Sequence, residues 1–146
     1  MDGSRCISYL TIERQGPVDP ALHAAIGDWI YGCDICQEVC PHNSARPDHR
    51  GESVLPAYRS DRAAFDLLDV LGWTEEARRQ AFTSSAMKRA ALSLMKRNAL
   101  IAAGNWLGRN EDAQLLARIR EISEDQSEPQ MVRRTAVDVL RSLSAR

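Results

Sequence analysis

Four thiols set the chemistry open to this sequence. Cys33, Cys36 and Cys40 fall within YGCDICQEVCPHN, residues 31–43, with Pro41 directly after the last, and the remaining cysteine is Cys6. A Cys-x2-Cys-x3-Cys-Pro run is a ligand pattern for iron–sulfur clusters. Its fuller bacterial form, Cys-x2-Cys-x2-Cys-x3-Cys-Pro, gives three thiolates to one cluster and the Cys before Pro to a neighbour. Aligned on Pro41, the first position of that form is Ile30, so one ligand is missing from the run, and Cys6 is the one residue able to replace it. If 33–40 were helical, Cys33 and Cys40 would stand roughly 10 Å apart along the axis, at about 1.5 Å per residue. That is too far for adjacent corners of one compact cluster.

The spacing therefore predicts one cluster shared by Cys6, Cys33 and Cys36, with Cys40 reaching to a second. A four-iron cluster takes four thiolates, so two of them need more cysteines than this sequence holds. The thiol count leads to the expectation that residues 1–146 are the back end of a longer protein, with Met1 an internal or truncated start. Two rivals use the same thiols. Four cysteines suffice for an all-cysteine tetrahedral zinc site, although cluster chemistry matches Cys40-Pro41 better. Inert buried thiols would require three cysteines within eight residues by accident.

A second candidate group is cationic. Residues 77–110 carry seven bases and no acid, whereas residues 1–76 carry 13 acids and 6 bases. On one continuous helix, Met87, Ala90, Ala91, Leu94 and Met95 form a buried stripe. Arg89 and Lys96 then point the other way, with Lys88 and Arg97 at the edges and Arg78 and Arg79 on the preceding helix. Such a face is a plausible phosphate track; equally, it is a solvated face whose acids (Glu75, Glu76, Glu111, Asp112) come from neighbouring segments. His23 reads as a solvated flank residue, His42 as loop surface and His49 as part of a linker. There is no nucleophile–base pair and no Gly-rich phosphate loop.

The elements that position these groups read as helices. Residues 4–14 suggest a short helix with Ser4 as N-cap and Gly16 past its end. Asp19 then Pro20 starts another, with Leu22, Ala25, Ile26, Trp29 and Ile30 as its apolar stripe and Gly32 as its end. Pro41, Pro47, Gly51 and Pro56 break up residues 41–60. Further helices are expected over 61–70, 74–82, 85–107, 111–122 and 129–143, the second capped by Thr74 with Glu75 and Glu76 in its first turn. At an offset of 36, Met95, Arg97, Ile101 and Leu107 align with Met131, Arg133, Val137 and Leu143, a period that fits HEAT-type helical pairs; two unrelated amphipathic helices would also share such a pattern. The expected class is mainly α: residues 1–55 half of a two-cluster ferredoxin-like domain, and 56–146 a HEAT-like repeat domain.

Composition agrees. Hydrophobic residues make up 44% and aromatics 5%, an Ala- and Leu-rich load that favours packed helices over a β-sandwich. Four cysteines are too few for a disulfide scaffold and point to a reducing cytosol. No apolar run approaches the ~20 residues of a membrane span, and no signal peptide is visible.

DGSRCISYLTIE at 2–13 followed by IYGCDICQEVCP at 30–41 closely resembles the C-terminal half of the epoxyqueuosine reductase family, and SSAMKRA…KRNALIAAGN, residues 84–105, is similar to that family's helical-repeat tail. The resemblance spans nearly the whole chain. It implies an oxidoreductase that reduces the epoxide of epoxyqueuosine in the tRNA anticodon loop to an alkene, using a cobalamin and two 4Fe–4S clusters. It implies that Cys6, Cys33 and Cys36 ligate one cluster with an upstream Cys-Pro, and that Cys40 completes the other. It places Ser8 and Asp34 near the corrin and makes Lys88, Arg89, Lys96 and Arg97 tRNA contacts. An electron donor such as a flavodoxin or ferredoxin is implied too. The family's N-terminal cobalamin domain, catalytic acid and first cysteine run have no counterpart here, so the chain alone is expected to be inactive. The competing functions are a ferredoxin-type electron carrier and a zinc-clipped helical-repeat module that binds a protein.

Overall fold

A computed structural model of the protein describes residues 2–43 and 64–145. Pro47, Gly51, Pro56, His49, the expected domain boundary and the expected helix start at Asp61 lie outside the described residues. Within them every regular element is helical. The α-helices are α1 (Pro20–Ile26), α2 (Ile35–Glu38), α3 (Leu67–Gly72), α4 (Glu75–Ala81), α5 (Leu92–Leu107), α6 (Ala113–Glu124) and α7 (Gln130–Ser144), with short 3-10 turns at Gly3–Arg5, Pro41–Asn43 and Ala86–Arg89. None of the described helices is long and apolar enough to cross a membrane.

Local chemistry explains most boundaries. Asp19, Asp66, Thr74 and Asp112 each accept a backbone N–H from the first turn of α1, α3, α4 and α6, which satisfies one of the orphan donors at a helix start. The segment read as one helix over 4–14 is instead two pieces. Asp2, rather than Ser4, caps the turn Gly3–Arg5 through the Ser4 N–H, and Cys6 is extended at its end (φ −66°, ψ 127°). The chain then winds into a π-helical turn, Tyr9–Glu13, closed by Arg14 N–H donating to the Tyr9 carbonyl at 3.0 Å. α1 stops at Ile26, short of the expected end, because Gly27 takes φ 62°, a conformation costly for any side chain with a Cβ.

The expected continuous helix over 85–107 is also interrupted. Ser85 caps the turn Ala86–Arg89, and Ala91 is extended (φ −65°, ψ 148°). The Arg78 guanidinium donates to the carbonyls of Lys88 (2.9 Å) and Ala90 (3.0 Å). It thereby binds oxygens that a continuous helix would offer to its own backbone.

α5 is the central element, with every residue from Leu94 to Gly104 buried. Its Met95, Ala99, Leu100 and Ala103 pack with Val70 and Leu71 of α3, Leu115, Ile119 and Ile122 of α6, and Val132, Ala136 and Val139 of α7. Phe65, Trp73 and Phe82 close the α3–α4 end with mutual edge contacts at 5.5–5.7 Å, the geometry that aromatic quadrupoles prefer. From another side of α5, Ile101 joins Leu10, Val18 and Ile26 of the cysteine-bearing segment. The aligned positions at offset 36 fall on α5 and α7, which pack directly against each other.

Candidate iron–sulfur centre

The cysteines sit on short irregular pieces. Cys6 ends the first 3-10 turn, Cys33 follows Gly32, Cys36 is in α2, and Cys40 precedes the turn Pro41–Asn43. All four are free thiols; Cys36 is exposed and the others are half-buried. Gly32 has φ 72°, which turns the chain sharply into Cys33. Its N–H donates to Thr11 Oγ1 at 3.0 Å, and that hydroxyl donates to the Ile7 carbonyl at 2.8 Å. The Cys6 turn and the Cys33 segment are thus joined through one buried hydroxyl.

A second connection comes from α5. Asn98 Nδ2 donates to the carbonyls of Thr11 (2.8 Å) and Ile30 (2.9 Å). Arg97 Nη1 donates to the carbonyls of Arg14 and Gly16, both at 2.6 Å, and Nη2 to that of Leu10 at 2.5 Å; Nε and Nη2 also reach Asn98 Oδ1. Further along, Asn105 Nδ2 holds the carbonyls of His23 (2.8 Å) and Gly27 (2.9 Å). The cysteine segment cannot satisfy these carbonyls within regular structure, and buried ones need a donor. A guanidinium, with five N–H groups, suits a cluster of them.

This overturns two expected phosphate contacts. Arg97 is fully buried, and burial, with Arg14 nearby, lowers its pKa to about 10. Lys96 is buried in an ion pair with Glu128 of the loop before α7. Neither side chain is presented to a solvent-side anion. The reason is that α5 is enclosed by α1, α3, α6 and α7, so it has no polar face. Its uniformly apolar run, ALIAAG at 99–104, was the available signal, since a helix apolar all round is buried and charges on it must be paired. His23 likewise is buried, its Nε2 3.3 Å from the Val18 carbonyl, rather than solvated.

Lys88 and Arg89 are exposed, as expected. Arg89 Nε donates to Tyr31 Oη at 3.2 Å, and its Nη2 lies 3.8 Å from Glu13 Oε1. The basic turn therefore lies against the cysteine segment, two residues before Cys33. Ser8 is half-buried at the start of the π turn, and Asp34 is exposed at the start of α2, where it accepts from Gln37 Nε2. His42 is exposed in its turn.

The donor set fits iron–sulfur clusters: thiols only, none in a disulfide, on short turns and the one-turn helix α2, with half the ligands that two four-iron clusters take. Among the described residues no three of His, Cys, Asp and Glu gather closely enough to hold a metal, so Cys6, Cys33 and Cys36 are not drawn together into one site, and the geometry by itself favours neither a cluster nor a zinc ion.

Comparison with known proteins agrees with this chemistry. Residues 1–43 match a family described as a 4Fe-4S double cluster binding domain, which places the chain in the class of iron–sulfur-binding helical proteins. It is 37% identical over 98 residues to the epoxyqueuosine reductase of Cyclobacterium marinum, covering 67% of this chain and 30% of that protein. With the Alicycliphilus denitrificans enzyme the identity is 38% over 116 residues, 77% of this chain and 31% of the other. The solved epoxyqueuosine reductase of Streptococcus thermophilus superposes with a TM-score of 0.72 at 27% identity, over 100% of this chain and 36% of its own. In sequence and fold the chain is a homologue of part of the epoxyqueuosine reductases, and it spans about three tenths of the length of the curated relatives it matches. Neither a separate electron carrier nor a zinc module is favoured beside them.

Proposed function

We propose that these residues form the cluster-holding and tRNA-gripping part of an epoxyqueuosine reductase, the enzyme that reduces epoxyqueuosine to queuosine in tRNA. The observation that carries this reading is the free-thiol segment, matched over residues 1–43 to a double-cluster family and held on a helical body by α5. Cys6, Cys33 and Cys36 would hold one 4Fe–4S cluster and Cys40 would contribute to the second, with the other thiolates coming from polypeptide outside these residues. When bound, the clusters supply one-electron transfer. Ser8 and Asp34 are the positions assigned to the neighbourhood of a cobalamin; one is half-buried and the other exposed. A flavodoxin or ferredoxin is the proposed electron source, and the cytoplasm the proposed compartment.

For tRNA, the proposal narrows to Lys88 and Arg89, which are exposed beside the cysteine segment. The stack of α5, α6 and α7 is read as HEAT-like, a scaffold suited to a long polyanion. The test is binding of tRNA to the anaerobically prepared protein across a salt series. Log affinity should fall linearly with log salt. Lys88→Ala with Arg89→Ala should weaken binding and flatten the slope by about 1 for each phosphate that is no longer neutralised. Unchanged affinity and slope would remove this turn from the interface. Loaded clusters without any tRNA binding would point to an electron carrier instead.

A further inference from the structure

We infer that Thr11, together with Arg97 and Asn98, is a positioning device that fixes the Cys6 turn against the Cys33 segment. This rests on the cluster reading above. A five-residue π turn that runs out into extended backbone at Arg14 leaves carbonyls that no helix or sheet ladder takes up. Those of Leu10, Arg14 and Gly16 converge on one guanidinium, and those of Thr11 and Ile30 on one amide. The amide therefore grips both sides of the site: Thr11 on the Cys6 side, and Ile30, three residues before Cys33, on the other. The Gly32 N–H to Thr11 Oγ1 bond repeats the link at closer range, directly before Cys33. Arg97 orients the amide in turn, since its Nε and Nη2 both donate to Asn98 Oδ1 (3.0 and 2.8 Å). That leaves the Asn98 NH2 group facing the two carbonyls.

None of these side chains is a thiol or a cluster ligand; they act on the loops that carry ligands. Groups hydrogen-bonded directly to metal ligands are typically worth 10–100-fold in metal affinity; these act one step further out, on the backbone beside the ligands, so the low end of that range is the upper bound for them. A purely structural role in the helical core would not change a cluster's spectrum. The geometry makes the opposite expectation here, because the bonds end one residue from each thiol, at the Ile7 carbonyl beside Cys6 and the Gly32 N–H beside Cys33.

The test uses the 146-residue chain, reconstituted anaerobically with ferrous iron, sulfide and a small thiol to fill the fourth position beside Cys6, Cys33 and Cys36. Wild type, Thr11→Val, Thr11→Ser, Arg97→Lys and, as a control for lost stability in the same helical body, Glu128→Gln are compared. The readouts are iron and sulfide content, the electron paramagnetic resonance g-values of the reduced cluster, and the rate of iron release to a chelator. Thr11→Val and Arg97→Lys should release iron faster, by up to about tenfold, with shifted g-values, the bound set by the low end of the range for direct partners. Thr11→Ser, which keeps the hydroxyl, should restore wild-type behaviour, and Glu128→Gln should keep wild-type g-values. A loaded wild type with unchanged Thr11→Val and Arg97→Lys spectra and rates would overturn the positioning role and leave the cluster reading standing. A wild type that takes up no iron and sulfide even with the small thiol present would overturn the assignment of Cys6, Cys33 and Cys36 to one cluster, and the positioning role with it.

Discussion

Replacing Gly104 by alanine should destabilise the protein, although alanine is the better helix former. A Cβ built at Gly104 meets Val139 Cγ1 at 2.7 Å and Cγ2 at 3.3 Å. Val139 cannot step aside: it is buried at 1% exposure on α7, and a β-branched side chain in a helix has one strongly preferred rotamer. Propensity favours the substitution by about 1 kcal/mol. Overpacking a tight core costs roughly 1–3 kcal/mol, so the net loss runs up to about 2 kcal/mol. Urea unfolding followed by far-ultraviolet circular dichroism measures it. With a slope of about 2 kcal/mol per molar, the midpoint should fall by up to about 1 M. The double variant Gly104→Ala/Val139→Ala separates the causes. Val139→Ala alone loses buried methyl groups at about 0.8 kcal/mol each. In the double variant the new methyl refills part of that space, so the effects should fall short of additivity by at least about 0.5 kcal/mol. If Gly104→Ala instead raised the midpoint, and the two changes added, α5 and α7 would not approach so closely, and α5 would be a looser platform for the cysteine segment.

The buried Lys96–Glu128 pair, with both side chains near one-tenth exposed, gives a second prediction. Glu128→Gln strands an ammonium and should cost about 3 kcal/mol, while Lys96→Met combined with Glu128→Leu should cost much less; a double variant as unstable as the single one would contradict this. His23 gives a pH dependence. Burial is the largest cause lowering its pKa below 6.5, opposed by the Val18 carbonyl, Asp138 and Asp19, with Arg97 adding to the lowering. The unfolded chain then binds a proton that the folded chain resists, so this contribution is intact above about pH 6.5 and is lost as pH falls from there towards the folded value. Urea midpoints at pH 7.5 and 5.5 should separate more for wild type than for His23→Gln, and parallel shifts in the two proteins would refute the assignment.

How much of this is legible in the sequence depends on whether a signal is local. The caps at Asp19 and Thr74 and the start of α7 at Pro129 can be read because capping is decided within four residues. The cluster chemistry is legible because thiol spacing is written in the chain. The fate of Lys96 and Arg97 is not, because a stripe argument assumes that a helix has an outside. In α5 the neighbours that remove the outside come from residues up to 87 positions away in sequence. The break at Ala90–Ala91 escapes a sequence reading for a similar reason. Nothing in SSAMKRAALS forbids a helix; a guanidinium from α4 captures two of its carbonyls.

Space-filling alone does not explain an arginine at position 97. Replacing buried charged groups by well-packed apolar ones is often neutral or stabilising, so a methionine would serve if α5 only had to fill space. Among the described residues Arg97 has no carboxylate as a hydrogen-bond partner; its charge is met by carbonyls and an amide. What those carbonyls have in common is irregular backbone. The thiols sit on pieces as short as the Gly3–Arg5 turn and α2, and irregular backbone forfeits the ladders that would satisfy its polar groups. The donors must then come from side chains of something rigid. α5 is the best-buried helix described, and it supplies them from Arg97, Asn98 and Asn105 while its other residues anchor α3, α6 and α7. On this view the helical body is required by the cysteine segment for its backbone chemistry as well as for any tRNA it grips, which is a physical reason for the two to be parts of one polypeptide.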